Sequence, residues 1–68
     1  MVEFGRYLFR ANNFLYAQKF YFSETQTWGI QVHLKDVPEI LYENYDTEDP
    51  AIHAWYKLMD QVNERLTR

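Results

Sequence analysis

TWGIQVHLK, residues Thr27 to Lys35, decides how the rest of the chain is read. Trp28, Ile30, Val32 and Leu34 alternate with Gln31, His33 and Lys35. A period of two puts the apolar side chains on one side of a β-strand and the polar ones on the other. The apolar side needs a core, and neighbouring segments must supply it.

Upstream lie VEFGRYLFRA and NFLYAQKFYF, both rich in aromatic and branched residues, as strands are. Residues Arg6 to Phe22 alone hold seven aromatic rings and three cations. Asparagine tolerates the positive φ of a two-residue hairpin turn, so Asn12-Asn13 is expected to join the two segments. That hairpin sets Phe9 opposite Tyr16, Tyr7 opposite Gln18 and Gly5 opposite Phe20 on one face. Its other face pairs Arg10 with Leu15, Leu8 with Ala17, Arg6 with Lys19 and Phe4 with Tyr21. If the aromatic face joins the apolar side of Thr27–Lys35, Phe22 falls opposite Trp28, Phe20 opposite Ile30, Gln18 opposite Val32 and Tyr16 opposite Leu34. This register requires an odd number of unpaired residues in the connection.

Downstream, EILYENY (Glu39 to Tyr45) follows the turn KDVP and reads as a strand returning on its predecessor. Val37, Ile40, Leu41, Asn44 and Tyr45 also fit helical spacing. Asp36 with Glu39 resembles a capping box around Pro38, which makes a helix the alternative. The last segment reads as an amphipathic helix. Ile52, Trp55, Met59, Val62 and Leu66 recur at spacings of three and four, with Ala51 and Leu58 widening the stripe. Thr47 or Asp49 is its candidate cap. Glu48 and Asp49 suit the positive end of the helix dipole, and Arg65 and Arg68 the negative end. The expectation is an α+β fold in which residues 1–68 form one small domain. It is a three- or four-stranded antiparallel β-meander (ββββα, alternatively βββαα) with one C-terminal amphipathic helix packed on one face.

A composition of 47% hydrophobic and 19% aromatic residues suits a folded domain. A chain of 68 residues buries only roughly 60% of the surface its unfolded form exposes, so association with a second copy is an early expectation. There are no cysteines to supply disulfides or thiolate ligands. The acidic Glu3 near the start, and the lack of a long apolar run, point to neither a signal peptide nor a spanning helix. A cytoplasmic location without membrane contact is expected. The net charge of −3 is unevenly spread: Asp36 to Asp49 holds six acids and no base, read as a solvated edge beside a helix start.

Residues for chemistry are sparse. Ser23 is the sole serine and falls in a hairpin loop, while His33 and His53 fall on opposite sides of the sheet. Nucleophilic catalysis needs a hydroxyl beside an oriented base, so no catalytic residue is assigned and the protein is expected not to be an enzyme. Asp49 and His53 share a helix face without completing a ligand set. DTEDPAIHAWYK lacks the central glycine and closing glutamate of a calcium loop. Neither metal nor cofactor is expected.

What remains is the second face of the sheet. Phe4, Arg6, Leu8, Arg10, Lys19, Tyr21, His33 and Lys35 are the candidate interaction residues. Arg6 opposite Lys19 would be a like-charge pair relieved by a partner. The expected function is a small non-enzymatic interaction or regulatory module that self-associates through the sheet as a dimer or takes an acidic protein partner. The alternative is single-stranded nucleic-acid binding, with phosphates on the cations and bases on the rings. WGIQVHLKDVPEILYENYDTEDPA, followed by the helix, resembles a strand–turn–strand–capped-helix unit of small prokaryotic domains. In topology alone, a sheet ending in one helix also resembles the single-stranded-DNA-binding transcriptional coactivator domains. That resemblance implies a dimer.

Overall fold

A computed structural model describes residues 1–66, with side chains for residues 1–64. In chain order the elements are β1 (Val2–Phe4), β2 (Tyr7–Phe9), a 3-10 turn (Ala11–Asn13), β3 (Phe14–Phe22), β4 (Thr27–Leu34), β5 (Ile40–Tyr45) and α1 (Glu48–Leu66). The alternating stretch becomes β4, the central strand of an antiparallel sheet ordered β3-β4-β5. Residues 40–45 are a strand and not a helix, so the meander reading holds. The fold is α+β, with one C-terminal helix packed on one face of the sheet.

The first hairpin departs from expectation. Val2–Phe4 pairs with Tyr7–Phe9 as a separate two-stranded sheet, turning at Gly5-Arg6. Gly5 takes φ +56°, and a Cβ there would lie 2.5 Å from the Glu43 Cδ, so a glycine is needed on both counts. Asn12-Asn13 is not a two-residue hairpin turn. It belongs to the 3-10 turn, in which the Asn13 N–H donates to the Arg10 carbonyl at 2.9 Å. The Asn13 carbonyl in turn accepts from the Lys35 N–H at 2.7 Å, tying this turn to the end of β4.

The register of β3 against β4 is one residue away from the expected one. Tyr21 faces Trp28, Lys19 faces Ile30 and Ala17 faces Val32, with a bulge between Phe14 and Tyr16. The Ser23–Gln26 connection has an even number of residues, and Gln26 adopts φ 55° to close it. On the other side of β4, Ile30 faces Glu43 and Val32 faces Leu41. A one-residue slip exchanges the faces of a strand. Tyr16, Phe20 and Phe22 therefore stand on the side of the sheet opposite to the one expected.

The core explains why the rings are not needed inside. Val2, Phe4, Phe9 and Ala11, from the first hairpin and the turn after it, cluster with Ile30, Val32 and Leu41 of the sheet and Leu58 and Val62 of the helix. The hairpin thus lies on the helix side of the sheet and fills the volume that β3 was expected to fill. Gln61 fastens it to the helix. Its amide accepts from the Glu3 N–H at 2.8 Å and donates to the Glu3 carbonyl at 2.9 Å, as a neighbouring strand would. The buried centre of the helix stripe is Ala51, Leu58 and Val62, while Trp55 and Met59 are only partly buried at its margin. Helix α1 starts at Glu48, so Thr47 precedes it, and Glu48 and Asp49 occupy its first turn. The expectations for Leu66, Arg65 and Arg68 concern side chains outside the described residues.

Candidate interaction surface

Strand alternation assigns each residue of the three-stranded sheet to a side. Toward the helix point Ala17, Lys19 and Tyr21 of β3, with Trp28, Ile30, Val32 and Leu34 of β4 and Leu41, Glu43 and Tyr45 of β5. Away from it point Tyr16, Gln18, Phe20 and Phe22 of β3. Thr27, Gly29, Gln31 and His33 of β4 and Ile40, Tyr42 and Asn44 of β5 share that outer side. No Lys, Arg, Asp or Glu occupies any of these outer strand positions.

The outer side is an ordered aromatic surface. Tyr16 stacks on His33 with ring centres 4.2 Å apart and planes 12° from parallel. Phe20 meets Phe22 edge-on at 4.7 Å and lies 6.1 Å from Tyr42. Gly29 makes room for this layer: a Cβ on it would lie 2.9 Å from the Phe20 ring and 3.1 Å from that of Tyr42. The layer is open to solvent: the Tyr16 and Phe22 side chains are 44% and 42% exposed, and Ile40 beside them 49%, while Phe20, Tyr42 and His33 are half-buried among their neighbours. Polar groups sit at one end, where Asn44 donates to the Tyr42 hydroxyl at 2.9 Å and to the Thr27 hydroxyl at 3.2 Å.

The eight residues expected to form one interaction face are dispersed. Phe4 is buried in the core, because β1 lies under the helix rather than beside β3. Arg6 occupies the β1–β2 turn, where its Nε is 3.5 Å from a Glu43 carboxylate oxygen and its guanidinium lies over the Tyr7 ring at 5.3 Å. The Arg6–Lys19 like-charge pair does not form. Leu8 and Arg10 are exposed at β2 and just after it, and Lys35 is exposed beyond β4. Lys19 and Tyr21 share the helix side of β3, with the Tyr21 ring 4.9 Å from Trp28. Only His33 belongs to the outer aromatic surface. Sequence reasoning missed Tyr16, Phe20, Phe22, Ile40 and Tyr42 as members of an open face. The one local hint was Gly29 in the middle of the best strand, which leaves room for rings above it; Lys19, alternating with the rings, pointed the other way.

Ser23 is exposed in the β3–β4 loop, and His53 is exposed on the helix, across the sheet from His33. Among the described residues, no three His, Cys, Asp or Glu side chains are grouped to hold a metal ion. No described helix is long and apolar enough to cross a membrane. No protein-family model matches this chain, and no curated protein or solved structure shows significant similarity to it.

Proposed function

We propose that this protein is a small non-enzymatic interaction module that self-associates by laying the outer aromatic face of its sheet against the same face of a second copy. The observation that carries this reading is an open strand face rich in rings and free of Lys, Arg, Asp and Glu. Exposed aromatic surface gains by leaving water, and an uncharged face meets its own copy without like-charge repulsion. Two sheets packed this way, about 10 Å apart, would form a four-layer helix–sheet–sheet–helix particle.

The size of the face fits a modest affinity. A strand of nine residues is ~30 Å long, and three strands ~4.8 Å apart give a plane of about 400 Å². With side-chain relief, two such faces reach the lower bound of specific interfaces, ~1,000 Å² in total. The same accounting disfavours an acidic partner or single-stranded nucleic acid on this face. The rings suit stacked bases, but the cations needed for phosphate lie elsewhere.

Sedimentation of the wild type and of a Phe22→Arg, Ile40→Arg double variant tests the reading. Both positions are exposed, so the variant should keep its fold by circular dichroism and sediment as a monomer where the wild type forms dimers. Equal association of the two proteins would refute face-to-face docking. Salt-sensitive retention of the wild type on a single-stranded oligonucleotide, lost in a Tyr16→Ala variant, would assign the face to nucleic acid instead.

A further inference from the structure

His33 is the only histidine on the outer strand face, and its ring can carry one proton or two. Its Nε2 is also the only buried side-chain nitrogen or oxygen among the described residues that lacks a hydrogen-bond partner. Resting on the reading of this face as a self-association surface, we propose that protonation of His33 separates the two copies, so that association is sensitive to acid.

The surroundings of His33 carry the inference. From β3 it is faced by Tyr16, which stacks on it, and from β5 by Ile40; Gln18 and Tyr42 are the diagonal neighbours. Gln31 is the next residue on its own strand to share the face. The other titratable side chains in this set are the phenols of Tyr16 and Tyr42. No carboxylate stands among them to take up an imidazolium charge. Lys35 and Glu39 lie beyond the ends of β4 and β5, outside the strand face.

A neutral imidazole has one N–H and one acceptor nitrogen, whereas an imidazolium has two donors to satisfy. At Nε2 the second donor would find no acceptor. To reach water the ring must swing out of its stack with Tyr16, which changes the relief of the docking face. If the ring stays in place, the interface must bury an unpaired cation, and the two-fold arrangement brings two of them. The associated state therefore binds fewer protons than the separated copies. The sign follows: association is tightest with His33 neutral and weakens as acid adds the second proton to its ring.

The test is the dimer dissociation constant by sedimentation at pH 7.5 and pH 5.5. It should rise about tenfold or more in acid, the limit for one linked proton being tenfold per pH unit. In His33→Gln the ratio between the two pH values should fall to about twofold or less, whatever the constant at pH 7.5, while His53→Gln should keep the wild-type ratio. Dilution calorimetry of the wild type near pH 6, in buffers of different ionisation enthalpy, should show proton uptake on dissociation. That measurement stands even if the His33 variant fails to fold. A dimer equally tight at both pH values, with no proton uptake, overturns the acid switch and leaves self-association intact. An undiminished ratio in His33→Gln assigns the effect to another group and overturns the role of His33. A monomer at pH 7.5 overturns the self-association reading itself, and the switch with it.

Discussion

The same chemical deletion made on the two sides of the sheet measures which side is the core. Ile30 and Ile40 lie on adjacent strands, yet Ile30 is fully buried beneath the helix and Ile40 is 49% exposed on the outer face. Isoleucine to alanine removes three carbons, worth about 2.4 kcal/mol in transfer at ~0.8 kcal/mol each. At Ile30 the helix and first hairpin close over the site, so a cavity term adds and the loss should reach ~3–4 kcal/mol, within the usual range of ~2–5. At Ile40 about half of the transfer term applies and no cavity forms, so the loss should be about 1 kcal/mol or less. A chain of 68 residues has ~3–10 kcal/mol of stability in total, at ~0.05–0.15 per residue. Ile30→Ala should therefore remain partly folded or unfold outright, while Ile40→Ala melts close to the wild type. Urea titration by far-ultraviolet circular dichroism, at a concentration low enough to keep all three proteins monomeric, gives the comparison. An Ile40→Ala loss equal to or larger than that of Ile30→Ala would show that the two faces of the sheet are assigned the wrong way round.

Two further outcomes are expected. Burial, with a smaller contribution from the nearby Glu43 carboxylate, raises the Tyr45 phenol above its ordinary pKa of 10.0. The stability linked to this group is complete below pH 10 and is lost as pH rises toward the raised value. Tyr45→Phe should then soften the alkaline fall in stability, and an unchanged profile would exclude Tyr45 as a contributor. Lys19 is the only charged residue in β3, whose outer edge has no neighbouring strand. Pairing of two β3 edges in the symmetric register centred on it would set Lys19 directly against Lys19 of a second copy, a contact that is unfavourable by ~0.2–1 kcal/mol. Lys19→Val should therefore associate up to about fivefold more tightly, with added hydrogen-exchange protection along β3; protection no different from the wild type would show that the charge does not guard the edge.

The elements were legible in the sequence where one periodicity stood alone. Strand β4 alternates without ambiguity, and the helix repeats its apolar residues over most of its length, so both form where expected. Segment 39–45 carried two periodicities, and the strand won because β4 offers it a hydrogen-bonding edge and buries Leu41 against the core. The register of β3 was not legible. Its sequence is apolar at both alternations, with Tyr16, Phe20 and Phe22 on one side and Ala17 and Tyr21 on the other. Placing the larger rings inside assumed that β3 had to fill the core. In the structure Val2, Phe4 and Phe9 fill it, and that choice depends on a hairpin turning at Gly5-Arg6, which pattern alone did not distinguish from a longer one.

The misplaced register also changed which surface is a candidate for function. With the rings inside, Arg6 and Lys19 would face each other across a hairpin, and that pair does not exist. With the rings outside, the weight falls on what the open face lacks. Lys19 stands on the helix side of β3, Arg6 is held at Glu43, and Arg10 and Lys35 lie beyond the strand ends, so none of these cations enters the aromatic layer. Edge pairing through β3 meets Lys19 beside its midpoint and the bulge next to Leu15 at its start, two devices that discourage strand addition. The flat side has neither obstacle. On the reading proposed here, the chain opposes association where it would be open-ended, at a strand edge, and favours it where two copies close on each other. His33, half-buried on that face with its Nε2 shut away from any partner, is then the point where acid acts on the pair.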